Sequence, residues 1–325
     1  MKRLALAVVL ACVPFAGAAE NAPAPAAAPT QDWSQTIETV VVTAERHGPL
    51  LWHIKKGDSE LIILGIVDPV PKKLDWDTGG VEAALKGAKQ LILPPGASVG
   101  LVEGLWFLMW NHDVIYLPDS TPMESTLPDA LRQRFTTARD RLHRDADRYS
   151  SLRVPLAGLR LVGDFQTDHG LTAREPSDTV EKLARHAGVS SKRAAEYEAL
   201  PLIKQLPKMS AAANEACMKD ALDDLEIQSA HADAAAQAWA SGDLAGIKAN
   251  SSDDRFESCI QALPNVAALF QRSVNDSLSA ANAALARPGK TVMVVSMGPL
   301  LRKGGILDRL AAEGLTIEAP SNSAS

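Results

Sequence analysis

The sequence predicts an α/β fold of the α+β-like kind, in which a large all-helical insertion interrupts a small mixed sheet. Two short, apolar, β-branched runs support this prediction: Leu61–Val67, which stops at Asp68-Pro69, and Thr291–Met297 near the other terminus. Such runs are typical of strands that are buried on both faces. From Leu127 to Arg287 the pattern is helical almost throughout. We therefore expect the two runs to be neighbours in one sheet.

The other strands and the helices between them follow from alternating or periodic apolar residues. A hairpin of Leu50–Lys55 and Glu60–Val67, turned around Gly57, comes first. It is followed by a helix at Asp77–Ala88 and a third strand at Gln90–Leu93, and after the insertion by Thr291–Met297, a helix at Gly304–Glu313 and a strand at Leu315–Glu318. These strands together predict the mixed sheet.

The insertion is predicted to be helical because its apolar residues recur with a period of 3.6. The predicted helices are Val99–Trp110, Pro128–Tyr149, Leu152–Phe165, Ser177–Ala187, Ser190–Leu200, Ala211–Ala240, Leu244–Ala249 and Asn265–Ala286. The first of them is apolar on nearly every face. We expect it to be buried, because a large exposed apolar patch is costly, and the alternative is a face turned to a membrane or a partner.

Charge and targeting signals limit the compartment and the partners. A net charge of −6 over 325 residues argues against nucleic acid, which needs clustered cations. Lys2 and Arg3, the apolar Leu4–Val13 and Ala16-Gly17-Ala18 predict a signal peptide, residues 1–18, and hence a periplasmic protein. Lipidation at Cys12 is the alternative. After cleavage, no apolar run reaches the length of about 18–20 residues that a membrane span needs.

The chain divides into four predicted segments. After the signal peptide, residues 19–47 hold an Ala/Pro-rich linker and a β-prone arm, Glu38–Ala44. The main domain covers residues 48–318, and residues 319–325 form a tail. The arm is either an edge strand or a segment that adds a strand to a partner, since it resembles the TonB box of outer-membrane receptors.

Two cysteines remain after cleavage, Cys217 and Cys259, both in predicted helices. An even number in an exported chain predicts a disulfide between them. Two buried free thiols are the alternative. A metal site at this pair is disfavoured, because no His or further Cys lies at ligand spacing beside either cysteine.

The order of elements and several local sequences resemble the TraB/GumN family, relatives of the TIKI metalloproteases. The resemblance spans about Gly48 to Ile317. Its matching stretches are Leu51–Ile54, Leu64–Pro71, Asp75-Trp76, Ala238–Leu244, Met297–Leu301 and Gly304–Leu307. It implies the same α/β scaffold and, for typical members, a metal-dependent hydrolase site at the strand ends.

The residues that the resemblance places at that site are unsuited to bind a metal. The family pattern has His in the first glycine motif, Glu at the end of the third strand and His in the last glycine motif. This sequence has Asp68, Pro94 and Leu301 at or near those positions. A catalytic zinc site needs about three protein ligands, and neither proline nor leucine has a side-chain donor. We therefore predict no metal and no cofactor.

Other candidate constellations are weaker. The seven histidines form no pair at i,i+3 or i,i+4 spacing, and neither His-Glu-x-x-His nor Cys-x-x-Cys occurs. Asp164, Asp168 and His169 lie near one helix end, where they are either a polar surface or an oriented base. Asp220, Asp224 and His231 share one side of a predicted helix, as a solvated stripe or as a cation site.

These observations favour an exported, non-catalytic protein that binds an envelope protein or a glycan-related ligand. The predicted cleft lies at the strand ends and consists of Gly65, Asp68, Pro69, Gly298 and Leu301. One alternative is a metal-dependent hydrolase or peptidase with a site rebuilt around Asp68, using groups such as Glu103, Asp164 or His169. Another is a partner-binding module that works through residues 38–44.

Overall fold

The computed structural model describes residues 48–118, 121–251, 256–318 and 320. The predicted signal peptide, the 38–44 arm and residues 321–325 of the tail lie outside the described residues. None of the helices in the described ranges is long and apolar enough to cross a bilayer.

The main sheet has six strands in the order β10-β1-β2-β9-β4-β7. β1 pairs antiparallel with both of its neighbours, whereas β2, β9, β4 and β7 run parallel. The strands are β1 (Leu51–Lys56), β2 (Ser59–Ile66), β3 (Val70–Pro71), β4 (Ala88–Leu93), β5 (Gly96–Ser98), β6 (Leu171–Thr172), β7 (Ser190–Arg193), β8 (Glu196–Glu198), β9 (Gly289–Ser296) and β10 (Thr316–Glu318). The predicted mixed sheet is confirmed, and so is the pairing of its two apolar runs in β2 and β9.

Helices make up the rest of the described chain. The helices that lie outside the insertion are α1 (Gly79–Leu85), α2 (Leu101–Trp110), α3 (His112–Ile115), α13 (Met297–Leu301) and α14 (Ile306–Ala312). The insertion holds α4 (Asp129–Arg141), α5 (Asp147–Ser150), α6 (Val154–Asp168), α7 (Ser177–His186), α8 (Leu200–Ile203), α9 (Ala211–Ala240), α10 (Leu244–Asn250), α11 (Glu257–Gln261) and α12 (Pro264–Leu285). Single 3₁₀ turns cover Met123–Thr126 and Leu206–Lys208.

Two apolar clusters stabilise these elements. The first surrounds the sheet and buries Trp52, Ile63 and Trp239 completely. The second lies between α4, α5, α6 and α9 and contains Phe135 and Tyr149. The long helix α9 contributes to both clusters, so it connects the insertion to the sheet.

Three helix predictions are wrong in part. Ser190–Leu200 forms the strands β7 and β8 before the short α8, because its backbone pairs with β4 and β5 although its side chains are polar. This is the usual composition of an edge strand. Pro128–Tyr149 is divided into α4 and α5. The prediction that the Val99–Trp110 helix is buried is wrong for Trp106, Met109 and Trp110, because their side chains are exposed.

Candidate functional site

The carboxyl ends of the two central strands meet at one edge of the sheet. β2 and β9 run parallel in register up to the pair Ile66 and Ser296. Asp68 and Pro69 follow the first strand, and α13 follows the second. In sheets of this kind ligands bind beyond the carboxyl ends of the strands, so this edge is the candidate site.

Gly65 allows α13 to pack directly on β2. A Cβ at this position would lie 2.8 Å from the Sδ atom of Met297 and 3.0 Å from a methyl of Leu300. Such distances are shorter than an ordinary van der Waals contact. Gly65 is therefore required for close packing beneath the site and does not line it.

Trp239 connects the end of α9 to the same strand. Its indole N–H donates a hydrogen bond of 2.7 Å to the carbonyl of Gly65. Its ring packs edge-on against the Trp76 ring, and the two ring centroids are 5.0 Å apart. Trp239 is completely buried. Because buried backbone carbonyls need a partner, this bond fixes where α9 crosses the strand end.

The turn after Trp239 positions the next wall of the site. Gly242 has φ +72, and a Cβ there would lie 2.9 Å from the carbonyl oxygen of Gly48, so glycine is required. Asp243 then accepts a hydrogen bond from the Gly246 N–H and caps α10. This helix carries Asn250 and Ser251 to the sheet edge.

These elements enclose a cavity of about 420 Å³, which we call the strand-end cavity. Its described walls are mainly apolar. They comprise Ile66, Val67, Pro69, Ile227, Ala232, Ala235, Phe256, Ile260, Phe270, Met297, Gly298 and Pro299, together with the polar Asp68, Asp224, Gln228, Asn250, Ser251 and Ser296. The volume lies in the range of small-molecule sites, about 300–1,000 Å³.

The polar groups lie mostly on α9 and α10. Asp224 is almost fully buried and accepts a hydrogen bond of 2.6 Å from the Gln228 side chain, which is also buried. Asn250 donates to the Gly246 carbonyl at 2.9 Å. The interpretation of Asp220 and Asp224 as a solvated stripe is therefore wrong. Asp220 is also buried and accepts a hydrogen bond from the Cys259 N–H.

The structure brings only some of the predicted site residues together. Asp68, Pro69 and Gly298 line the strand-end cavity. Leu301 packs against the sheet core. Pro94 follows β4, on the far side of β9 from β2, and its carbonyl accepts a hydrogen bond from Arg193.

The residues present do not fit the metal that the resemblance implies. Of the three family positions only Asp68 carries a side-chain donor, and Asp224 is the other carboxylate among the described cavity residues. Within the described ranges, no three His, Cys, Asp or Glu side chains converge as metal ligands would. A zinc-type centre needs about three such ligands, so we derive no step through a metal.

The groups proposed to complete a site rebuilt around Asp68, namely Glu103, Asp164 and His169, are not among the described residues of the cavity wall. The Asp164 carboxylate accepts a hydrogen bond from the Arg148 guanidinium and a second one, of 2.7 Å, from the Tyr149 hydroxyl. The hydrogen bond from Arg148 lowers the pKa of Asp164. Burial acts in the opposite direction, and the hydrogen bond from Tyr149 lowers the pKa further. The His169 ring forms a hydrogen bond with the Phe165 carbonyl and stacks on the Phe165 ring. Glu103 lies on α2. Asp164 and His169 therefore make their described contacts within the helical insertion.

Cys217 and Cys259 form a disulfide between α9 and α11 in this structure. The pairing joins residues 42 positions apart. Two neighbours of Cys259, Phe256 and Ile260, line the strand-end cavity. The disulfide therefore holds one wall of the cavity against α9.

Comparison with known proteins identifies the family of this chain. The family model described as TraB/PrgY/gumN family matches residues 50–319, most of the chain. No curated protein and no solved structure matches the chain.

Proposed function

Because this chain belongs to the TraB/PrgY/gumN family, we propose that it is an exported, non-catalytic member that binds a small ligand in the strand-end cavity. The observation that supports this proposal is the cavity itself. It lies where α/β folds place their ligands, and proline and leucine occupy two of the three positions at which relatives are expected to bind a metal.

The lining of the cavity limits the kind of ligand. Its described walls are mainly apolar, with Phe270 at 45% exposure. Buried apolar area drives binding, and a few polar groups fix orientation. The ligand therefore has an apolar body and one polar end near Asp68 and Asp224. A lipid-linked or otherwise apolar glycan derivative fits this description better than a bare sugar.

A neutral apolar dye tests the proposal. N-phenyl-1-naphthylamine is titrated into the full chain, and its fluorescence reports transfer to an apolar site. Ala235→Phe places a ring inside the cavity, whereas Ala234→Phe, on the neighbouring exposed position of the same helix, is the matched control. We expect the first variant to lose the dye and the second to keep it. Equal binding to both variants would contradict the proposal.

A hydrolase rebuilt around Asp68 is the second candidate, and one observation favours it. Asp224 lines the same cavity as Asp68, and carboxylates perform acid–base chemistry in many hydrolases. Peptide hydrolysis is assayed with zinc, manganese or cobalt added. An enzyme of this kind would lose turnover in Asp68→Asn and Asp224→Asn, while Ala234→Phe would retain it. A binding protein would show no metal-dependent turnover in any of them.

Export is tested separately, through the mass of the protein recovered from the periplasm. Cleavage after Ala18 predicts an N-terminus at Ala19. A lipoprotein would instead begin at a modified Cys12.

The 38–44 arm is tested by deleting residues 31–46 and comparing the envelope proteins that the full and the shortened chain capture. The captured proteins remain unchanged if the arm has no partner.

A further inference from the structure

Helix α2 presents a row of large apolar side chains to solvent. Trp106, Met109 and Trp110 are 60%, 65% and 69% exposed. They are three and four positions apart, so they lie on one face of the helix. The two indole rings stack with centroids 6.1 Å apart. Among the described elements, α2 packs mainly against the short α3 that follows it.

The chemistry of this row suits the interfacial region of a lipid bilayer. An indole has a large apolar ring and a single N–H donor, which is why tryptophan is enriched where hydrocarbon meets lipid headgroups. Neither indole N–H has a hydrogen-bond partner among the residues that the structure describes. A lipid carbonyl or phosphate oxygen can therefore accept a hydrogen bond from each indole.

Charges of both signs lie around the row. The exposed carboxylates Glu103 and Asp113 lie on α2 and α3. The exposed Lys208 lies in the 3₁₀ turn Leu206–Lys208, which packs against α3, and the exposed Lys204 lies just before that turn. The Arg153 guanidinium donates hydrogen bonds to the Asp113 carbonyl of α3. An anionic membrane attracts clusters of four or more cations, and no such cluster is present among these residues. The surroundings match a bilayer of zwitterionic phospholipid, whose headgroups carry both charges.

We propose that the face of α2 formed by Trp106, Met109 and Trp110 docks onto the surface of a phospholipid bilayer. The exposed area of these three side chains is about 400 Å², by the usual size of aromatic side chains. A stable interface between two copies of the chain needs about 800 Å² on each. A bilayer has no such requirement, because each inserted side chain gains its own transfer free energy from the lipid.

The test measures binding of the full chain to vesicles of neutral phosphatidylcholine and phosphatidylethanolamine by flotation. The variant Trp106→Ser/Trp110→Ser is compared with wild type. Leu159→Ser, at a 55% exposed leucine on α6, is the control. Because Leu4–Val13 has lipid affinity of its own, the relevant quantity is the difference between wild type and variant. We expect a loss of about tenfold for each tryptophan removed, and no change in the control.

Two further measurements distinguish the occupants. Lipids brominated near the headgroup will quench the fluorescence of Trp106 and Trp110. Binding will change little between low and high salt, because the local charges are of both signs and form no large cationic cluster. Equal flotation of wild type and the double variant would overturn the proposal. So would a dimer, seen by sedimentation, that the same double variant abolishes, because a second copy would then cover this face.

Discussion

The strand-end cavity and the core of the helical insertion use the same residue types in opposite ways. At the strand ends, Asp68 and Asp224 line a cavity with mainly apolar walls. In the insertion, Asp164 and Asp168 are ion-paired with Arg148 and Arg144. Sequence motifs mark both pairs equally well as candidates for chemistry. The difference shows that the neighbours of a carboxylate determine whether it lines a cavity or forms an ion pair within the insertion.

Replacing the buried indole at the strand ends has the largest expected effect. Trp239→Ala removes a fully buried ring and leaves the Gly65 carbonyl without its donor. We expect the free energy of unfolding, measured with urea, to fall by about 4–5 kcal/mol. Dye binding in the cavity should fall as well. Trp239→Phe, which keeps a ring but not the N–H, should lose about 1–3 kcal/mol.

Reducing the disulfide tests how firmly the insertion holds the cavity wall. The cysteines are 42 residues apart, for which the chain-entropy model gives about 4 kcal/mol of stabilisation. Urea unfolding with and without a thiol reductant measures this difference. Dye affinity should fall in the reduced protein, because Phe256 and Ile260 belong to the wall that the disulfide holds. Unchanged dye affinity would mean that the disulfide does not position the cavity wall.

Breaking the ion pair in the insertion has a smaller effect, and it depends on pH. Asp164→Asn weakens the hydrogen bonds from Arg148 and Tyr149 and should cost about 1.5–3 kcal/mol near pH 7. Because the pKa of Asp164 is lowered in the fold, its stabilisation is complete above the ordinary value of about 3.9 and is lost as the pH falls further.

Urea unfolding of wild type and Asp164→Asn between pH 7 and pH 2 should therefore converge at the acid end. Dye binding at pH 7 should be the same for both proteins. A loss of dye binding would place Asp164 in the functional site and remove the contrast between the two regions.

Changing an exposed indole has the smallest expected effect on stability. Trp106→Ser removes a side chain that is 60% exposed, so the free energy of unfolding should change by about 0.5 kcal/mol or less. Thermal unfolding without lipid measures it. A much larger loss would mean that α2 packs more tightly than its exposure indicates, and the vesicle comparison would need a milder variant such as Trp106→Tyr.

The sequence was sufficient to predict five of the six strands of the main sheet, but not the strand β7 and not every wall of the cavity. The β-branched runs in β2 and β9 predict buried parallel strands, and their ends predict where Asp68 and Gly298 lie. The position of Asp224 depends on how α9 crosses the strand ends. That crossing is fixed by the bond from Trp239 to Gly65, 174 residues away, which no local pattern reveals.

Two errors have the same physical origin. Ser190–Arg193 forms β7 by pairing with β4, so its strand state depends on a distant backbone and not on its own polar side chains. The apolar α2 was expected to be buried because apolar surface avoids water. Three of its side chains are exposed instead, and what such a face contacts depends on a surface outside the chain, which the apolar pattern alone does not identify.

Metal analysis of the purified full chain tests the central claim most directly. The protein is expressed without added metal, dialysed, and its metal content is measured by inductively coupled plasma mass spectrometry beside Asp68→Asn. A ligand-binding protein with proline and leucine at the family's metal positions should contain no stoichiometric zinc, manganese or cobalt, with or without the substitution. A full equivalent of one of these metals in wild type, lost in Asp68→Asn, would contradict the account.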